Sequence, residues 1–363
     1  MKTPNFYFEL SQKSIAGDIL EKNIADTILT SREVELLPLL NSAYQVRQQF
    51  CGNEVKIHII NNAQNGHCAE DCHYCAQAKS STADIEEYPL KPEAEILAEA
   101  KRAYESGAYR YCMVFAGRGP SERRVEHLAQ LIRKIKAQYP IKICVSTGLL
   151  DAKKAQILKD AGLDRLNHNL NTSRRHYPKI CTTHTYEDRL KTLHAATIAG
   201  IEICSGVIAG MGEQHEDIIE VAYTLRELNS PSIPVNFFIP IPGNRLTHSD
   251  LTPEYCLRIL CLYRFLNPKA EIRVAAGREI HLRSMEVMAL YPANSLFMDG
   301  YLNTKGTDQK RTLQMIKDAG FTINSEKNLD DLLEEDNKKS LDQVVLKDLY
   351  DLRPHFQPQE NTI

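Results

Sequence analysis

Eight short runs rich in β-branched and aromatic residues, with helical patterns between them, constrain this chain more than any other feature. The runs are VKIHII (55–60), YRYCMVF (109–115), IKICVS (141–146), LDRLNHN (163–169), IEICSGVI (201–208), SIPVNFFI (232–239), EIRVAA (271–276) and NSLFMD (294–299). Each reads as a buried strand. The segments EAEILAEAKRAYESG, AKKAQILKDAG, YEDRLKTLHAATIAG, EDIIEVAYTLRELN and EYCLRILCLYRFLN carry helical spacing. Several close on Gly or Asn, which tolerate the left-handed conformation at a helix end. A βα unit repeated about eight times predicts an α/β fold, a (β/α)8 TIM-type barrel, with a doubly wound open sheet as the competitor. A helical extension over residues 1–50, the barrel over 51–321 and a polar C-terminal tail over 322–363 are the expected divisions. Chemistry in such barrels sits at the C-terminal ends of the strands.

The 363 residues are 43% hydrophobic and 25% charged, the composition of an ordinary globular enzyme. A net charge of -3 without a long basic run gives no electrostatic case for nucleic acid. MKTPNFYFELSQK lacks the apolar core of a signal peptide, and no apolar run approaches the roughly 20 residues that cross a bilayer. A cytoplasmic or equivalent reducing location is expected, so the ten cysteines are not read as a disulfide framework.

Three of them crowd into HCAEDCHYCAQ, at Cys68, Cys72 and Cys75, in the loop directly after the first run. A structural zinc site wants four protein ligands, and no second pair follows at finger spacing. His67 and His73 read as exposed or supporting residues beside the thiols. An iron–sulfur cubane normally takes four thiolates. Three leave one iron open, and an open position is what separates a reactive metal from a structural one. A zinc loop or a chance spacing is the alternative.

Cys112, Cys144 and Cys204 each fall inside a predicted strand. Singly, each is most simply a small buried hydrophobe. Arg273, in EIRVAAGR, is costly in a barrel interior unless something anionic meets it. Asn167, Asn169 and Asn171 recur with period two, so an extended chain points all three to one face, where they need a polar ligand. An Asn-rich exposed strand end is the other reading. Gly206, Gly210 and Gly212 let backbone approach a cofactor but lack the dinucleotide fingerprint, which removes a Rossmann reading. Cys51, Cys181, Cys256 and Cys261 fit no cluster pattern, and Cys256 and Cys261 read as core.

The spacing C-x-x-x-C-x-x-C, with Tyr74 just before its last cysteine, resembles the signature loop of radical S-adenosylmethionine (SAM) enzymes. The resemblance implies a 4Fe–4S cluster on Cys68, Cys72 and Cys75 whose free iron is chelated by SAM. One electron then breaks a carbon–sulfur bond to give a 5′-deoxyadenosyl radical. Through YCMVFAGRGPSERR, KICVSTGLL, RLNHNLNTS, TTHTYEDRLKTL, CSGVIAGMGE, SIPVNFF, EIRVAAGRE and ANSLFMDGYLNT, to about Phe321, the chain is similar to the members that insert sulfur into dethiobiotin, the last step of biotin biosynthesis. That similarity implies a 2Fe–2S cluster on Cys112, Cys144, Cys204 and Arg273, with Arg278 as the alternative arginine. It implies SAM contacts from Tyr74, Asn169, Asn171, Arg189 and Gly210, and dethiobiotin contacts from Asn167, Asn169, Asn236 and Thr304. Chemistry is carried by the clusters and SAM, with no acid–base residue. Many members carry Asp at the position of Asn171 and a Thr pair where this chain has Asn303 and Thr304, so those contacts differ here. A flavodoxin or ferredoxin electron donor and a homodimer are implied in the same way. The competing expectations are another radical SAM sulfur-inserting or maturase enzyme, and a non-catalytic iron–sulfur or zinc protein.

Overall fold

The structure, a computed structural model, describes residues 1–337. Helices α1 (Pro4–Ala16), α2 (Lys22–Thr30) and α3 (Leu36–Cys51) lead into strand β1 (Glu54–Gln64). The other strands are β2 (Arg110–Phe115), β3 (Lys142–Ser146), β4 (Arg165–Asn167), β5 (Glu202–Cys204), β6 (Val207–Ala209), β7 (Ser232–Phe237), β8 (Glu271–Val274) and β9 (Ser295–Met298). All pair in parallel in the order β1-β2-β3-β4-β5-β7-β8-β9, and β9 returns to β1 at Lys56↔Ser295, closing the barrel. Closure removes the open-sheet competitor.

β5 and β6 are two pieces of one barrel strand. Cys204 faces Ser232 and Val207 faces Val235 on β7, so the register runs unbroken across Ser205 and Gly206. A Cβ on Gly206 would sit 1.9 Å from the Pro234 carbonyl oxygen, so only glycine fits that crossing.

The crossovers are α4 (Glu93–Glu105), α5 (Glu122–Gln138), α6 (Ala152–Asp160), α7 (Tyr177–Ile180), α8 (Tyr186–Ile198), α9 (His215–Glu227), α10 (Pro253–Leu266) and α11 (Arg278–Leu282), the last running into a 3-10 turn over Arg283–Leu290. Their starts are written locally. Ser121 accepts from Arg124 N at the head of α5, and Thr185 with Asp188 forms a capping box on α8. Helix α10 is buried from Cys256 to Leu266 because the N-terminal helices cover its outer side. Cys256 and Cys261 accordingly lie in the core.

Helix α12 (Gln309–Asp318) closes the set. The polar stretch after Phe321 begins as structure rather than as a loose appendage: β10 (Thr322–Ile323) pairs with β1, and α13 (Leu329–Asn337) buries Leu329, Leu332 and Leu333. The helical spacing of Leu329, Leu332 and Leu333, masked by acidic neighbours, is what lets it pack. The rest of the expected tail, 338–363, lies outside the described residues. Among the described residues no helix is long and apolar enough to cross a membrane.

Candidate active site at the barrel mouth

A cavity of about 390 Å³ enters the barrel from the C-terminal ends of its strands, a size suited to a small-molecule site. Cys68, Cys72 and Cys75 line its rim, and Cys112, Cys144 and Arg273 line its depth. The rim loop is wound tightly. Gly66 and His67 both take positive φ, 78° and 53°, turning the chain back as it leaves β1. Two successive turns, Cys75 N to Cys72 O and Ala78 N to Cys75 O, each 3.1 Å, then gather the thiols. The loop is anchored by Asn244 Nδ2, which donates to Tyr74 O at 3.1 Å, and by His73 N, which donates to Ile180 O at 2.9 Å. His67 is exposed and His73 Nε2 meets Arg245, so neither imidazole joins the thiols.

All three rim cysteines are free thiols. Burial raises Cys68 and pushes Cys75 up to about 11, while the hydrogen bond to Cys181 and burial raise Cys72. Left alone they stay protonated, and a metal would bind by displacing those protons. This donor set fits an iron–sulfur cluster with one iron unclaimed by protein.

Behind the rim, Arg189 is buried. It donates from Nη1 to Asn169 O at 2.8 Å and from Nη2 to His184 Nε2 at 2.9 Å, and from Nε to Tyr177 OH. None of those partners is a carboxylate, so a buried cation faces the cavity with room for an anionic group. Sequence spacing alone favours an exposed helical position for this arginine; the packing of α8 on the loop after β4 buries it instead.

Asn167, Asn169 and Asn171 all line the cavity, but not along one extended strand. β4 ends at Asn167, and Asn171 takes φ 68°, a conformation that Asn tolerates better than most residues. Its N–H bonds Gly206 O at 2.9 Å and its carbonyl accepts from Ile208 N at 2.8 Å, so the bridge to β6 re-aims it, and its amide reaches Tyr74 OH. Asn236 also faces the cavity, with Nδ2 on Val207 O at 3.0 Å and Oδ1 accepting from Ala276 N at 3.3 Å. Thr304 lies at the rim, and Asn303 accepts from Asn65 Nδ2 at 2.8 Å. Gly210 is not brought to the cavity: its N–H is taken by Glu213 at 2.7 Å.

At depth, Cys112 faces Cys144 across β2 and β3, and Cys204 faces Asn167 across β4 and β5. The hydrogen bond between Cys112 and Cys144 lowers the pKa of the first and raises that of the second. Arg273, not Arg278, is the arginine beside these sulfurs. Its Nε is on Ser295 Oγ at 3.0 Å, its Nη2 on Ser232 Oγ at 3.0 Å and on Glu271, and its Nη1 points to Cys204 Sγ at 3.6 Å. Arg278 instead pairs with Glu286 at 2.8 Å and with Phe297 O.

Beneath that set lies a charged floor that the sequence reading missed. Glu271 meets Arg165 at 3.1 Å and His58 at 2.9 Å, besides Arg273, and Arg110 is buried alongside. A signal for it exists: Arg110, Arg165 and Glu271 each stand two residues before Cys112, Asn167 and Arg273, so period two puts each pair on one face. Cys181 and His184, packed against Cys72, were also missed, and nothing in their local sequence marks them.

Against known proteins, the Radical SAM superfamily pattern matches residues 65–225, and that of the Biotin and Thiamin Synthesis associated domain matches 234–322. The chain is 55% identical over 315 residues to a biotin synthase from Magnetococcus marinus, covering 86% of this chain and 98% of that enzyme. It is 55% identical over 304 residues to a biotin synthase from Acaryochloris marina, covering 84% and 88% respectively. The crystal structure of methylornithine synthase (PylB) shares the fold with TM-score 0.75 at 22% identity, over 89% of this chain and 98% of that one.

Proposed function

The chain belongs to the biotin synthase family of radical SAM enzymes, and from that membership and the cavity we infer that it inserts sulfur into dethiobiotin to form biotin. The carbons to be joined to sulfur are neither acidic nor electrophilic, so acid–base groups and nucleophiles have no purchase on them, and cofactors must carry the chemistry. When bound, a 4Fe–4S cluster with SAM supplies one-electron cleavage of a carbon–sulfur bond and hence an abstracting radical. The observation that carries the reading is one cavity with three thiols at its rim and a second thiol set with arginine at its depth.

In this reading Cys68, Cys72 and Cys75 hold the 4Fe–4S cluster. Arg189, a buried cation without a carboxylate partner, receives the SAM carboxylate, while Tyr74, Asn169 and Asn171 border the same ligand. Asn167 and Asn169, bonded to each other at 3.2 Å, orient the ureido ring from one side, and Asn236 does so from the other with its remaining N–H and lone pair. Thr304 borders the valerate tail. Gly210 acts only by letting the backbone turn.

Cys112, Cys144, Cys204 and Arg273 hold a 2Fe–2S cluster as sulfur source. Ser295, Ser232 and Glu271 fix the other two guanidinium nitrogens, which leaves Nη1 as the one free to serve. Depth keeps water from the reacting carbons. A flavodoxin or ferredoxin donor, a homodimer, a cytoplasmic setting and the division of the chain at residues 50 and 321 belong to the same proposal. The test is anaerobic incubation of the reconstituted chain with SAM, reductant and dethiobiotin, followed by mass analysis. Biotin is the expected product; SAM cleavage unaffected by dethiobiotin, with no biotin, contradicts the assignment.

A further inference from the structure

Cys181 serves none of the roles above, yet its sulfur rests 3.7 Å from that of Cys72. The backbone places it there. The N–H of the peptide joining Cys72 to His73 donates at 2.9 Å to the carbonyl of the peptide joining Ile180 to Cys181, so one hydrogen bond ties the two stretches of chain that carry the thiols. The residues beside them are tied as well. Asp71 accepts from Thr182 N at 2.9 Å and from Thr183 N at 3.2 Å, and Glu70 accepts from Thr183 Oγ1 at 2.6 Å. Segments held this way stay together, while each cysteine keeps its own side-chain torsion. Rotation about those torsions is the motion that closes the contact to a bond of about 2.0 Å.

We propose that Cys72 and Cys181 are a reversible oxidation site, which joins them as a disulfide in the chain that carries no cluster. Cys72 lines the mouth cavity, which admits a small oxidant, and Cys181, 2% exposed, stands directly behind it. With hydrogen peroxide as the oxidant, the sulfur that reacts first becomes a sulfenic acid and one water is released; the other sulfur then displaces the sulfenic oxygen as a second water. Two thiols lose two electrons and two protons, and the peroxide is reduced to two waters. Such a bond is transient in a reducing compartment, where exchange with other thiols returns it to the dithiol.

The consequence is a lock. The disulfide takes Cys72 out of the rim set, so an oxidised chain cannot assemble a cluster on all three rim cysteines until it is reduced. This consequence rests on the cluster reading given above; the disulfide itself does not.

The test is treatment of the full-length, cluster-free, fully reduced chain with one equivalent of hydrogen peroxide, followed by alkylation of the remaining thiols, trypsin and mass analysis without reduction. Trypsin releases residues 57–79, which carry Cys68, Cys72 and Cys75, and residues 180–189, whose single cysteine is Cys181. Two of the ten thiols should be lost, and these two peptides should appear linked through Cys72 as the main product, a link that dithiothreitol removes. Cys68→Ser and Cys75→Ser should keep the link and Cys181→Ser should lose it, with circular dichroism verifying that each variant is folded. A first disulfide between any other pair, Cys112 with Cys144 included, overturns the proposal, as does loss of two thiols that leaves the two peptides unlinked. The lock is read in Cys112→Ala, where the deep set is broken: once oxidised, this chain should fail to take up iron and sulfide, and dithiothreitol should restore uptake. Equal uptake by its oxidised and reduced forms overturns the lock, and the cluster role of Cys72 with it, while leaving the disulfide standing.

Discussion

Glu271 holds the charge balance beneath the deep cysteines, because one buried carboxylate meets Arg165, Arg273 and His58. Burial alone would raise its pKa, but the neighbouring His58, Arg273 and Arg165 hold it well below its ordinary 4.5. A carboxylate lowered on folding stabilises the protein above its unfolded value, and that stabilisation is lost as pH falls from there through the folded value. Glu271→Gln leaves the buried Arg273 guanidinium without a carboxylate, while Arg165 keeps Glu202, and should cost about 3–5 kcal/mol in urea unfolding at neutral pH. The gap between variant and parent should shrink as pH falls below about 4.5; a gap that ignores pH contradicts the account. Cys112→Ala makes a different point. It removes a deep sulfur and leaves the rim thiols intact, so biotin formation should vanish while reductive SAM cleavage continues. Joint loss of both activities in a folded variant counts against separate roles for rim and depth. The rim cysteines were legible as candidate ligands because thiols at fixed spacing have few uses. The contact of Cys181 with Cys72 was not, because it arises only when α7 brings the two together.

Among the elements, the interrupted fifth strand is the most sensitive. Gly206 lies where the chain crosses the Pro234 carbonyl, and its own carbonyl fixes Asn171. Gly206→Ala should therefore cost at least about 3 kcal/mol, at or beyond the usual range for an added methyl group, and should weaken SAM binding through Asn171. Urea midpoints and SAM titration check both; a stable variant with normal affinity removes the steric argument. Strand positions were readable in the sequence because six of the eight are short β-branched runs, and the repeating rhythm with helical patterns marks the other two. The course of the chain past Asn167 was not, since period-two reasoning assumes extended backbone and Asn171 is left-handed. The start of the tail was missed for a related reason: three leucines at helical spacing were hidden among acidic neighbours.

At the scale of the molecule, the N-terminal helices are tied to the barrel through α10. Arg258 donates from Nη1 to Ile28 O at 2.8 Å and from Nη2 to Val34 O, closing the ends of α2 and the turn beyond it. Arg258→Ala should lose about 1.5–3 kcal/mol for each of these charged hydrogen bonds. Limited proteolysis should then open between α2 and α3 while the barrel core stays protected; unchanged resistance contradicts the tie. What these helices secure is a barrel whose rim carries the three thiols proposed to hold a cluster with one iron open, and that open position is the central claim. Its most direct test is the low-temperature electron paramagnetic resonance spectrum of the anaerobically reconstituted, reduced chain, recorded before and after SAM is added. A shifted signal is expected as SAM takes the open iron. Superimposable spectra at saturating SAM contradict the central claim.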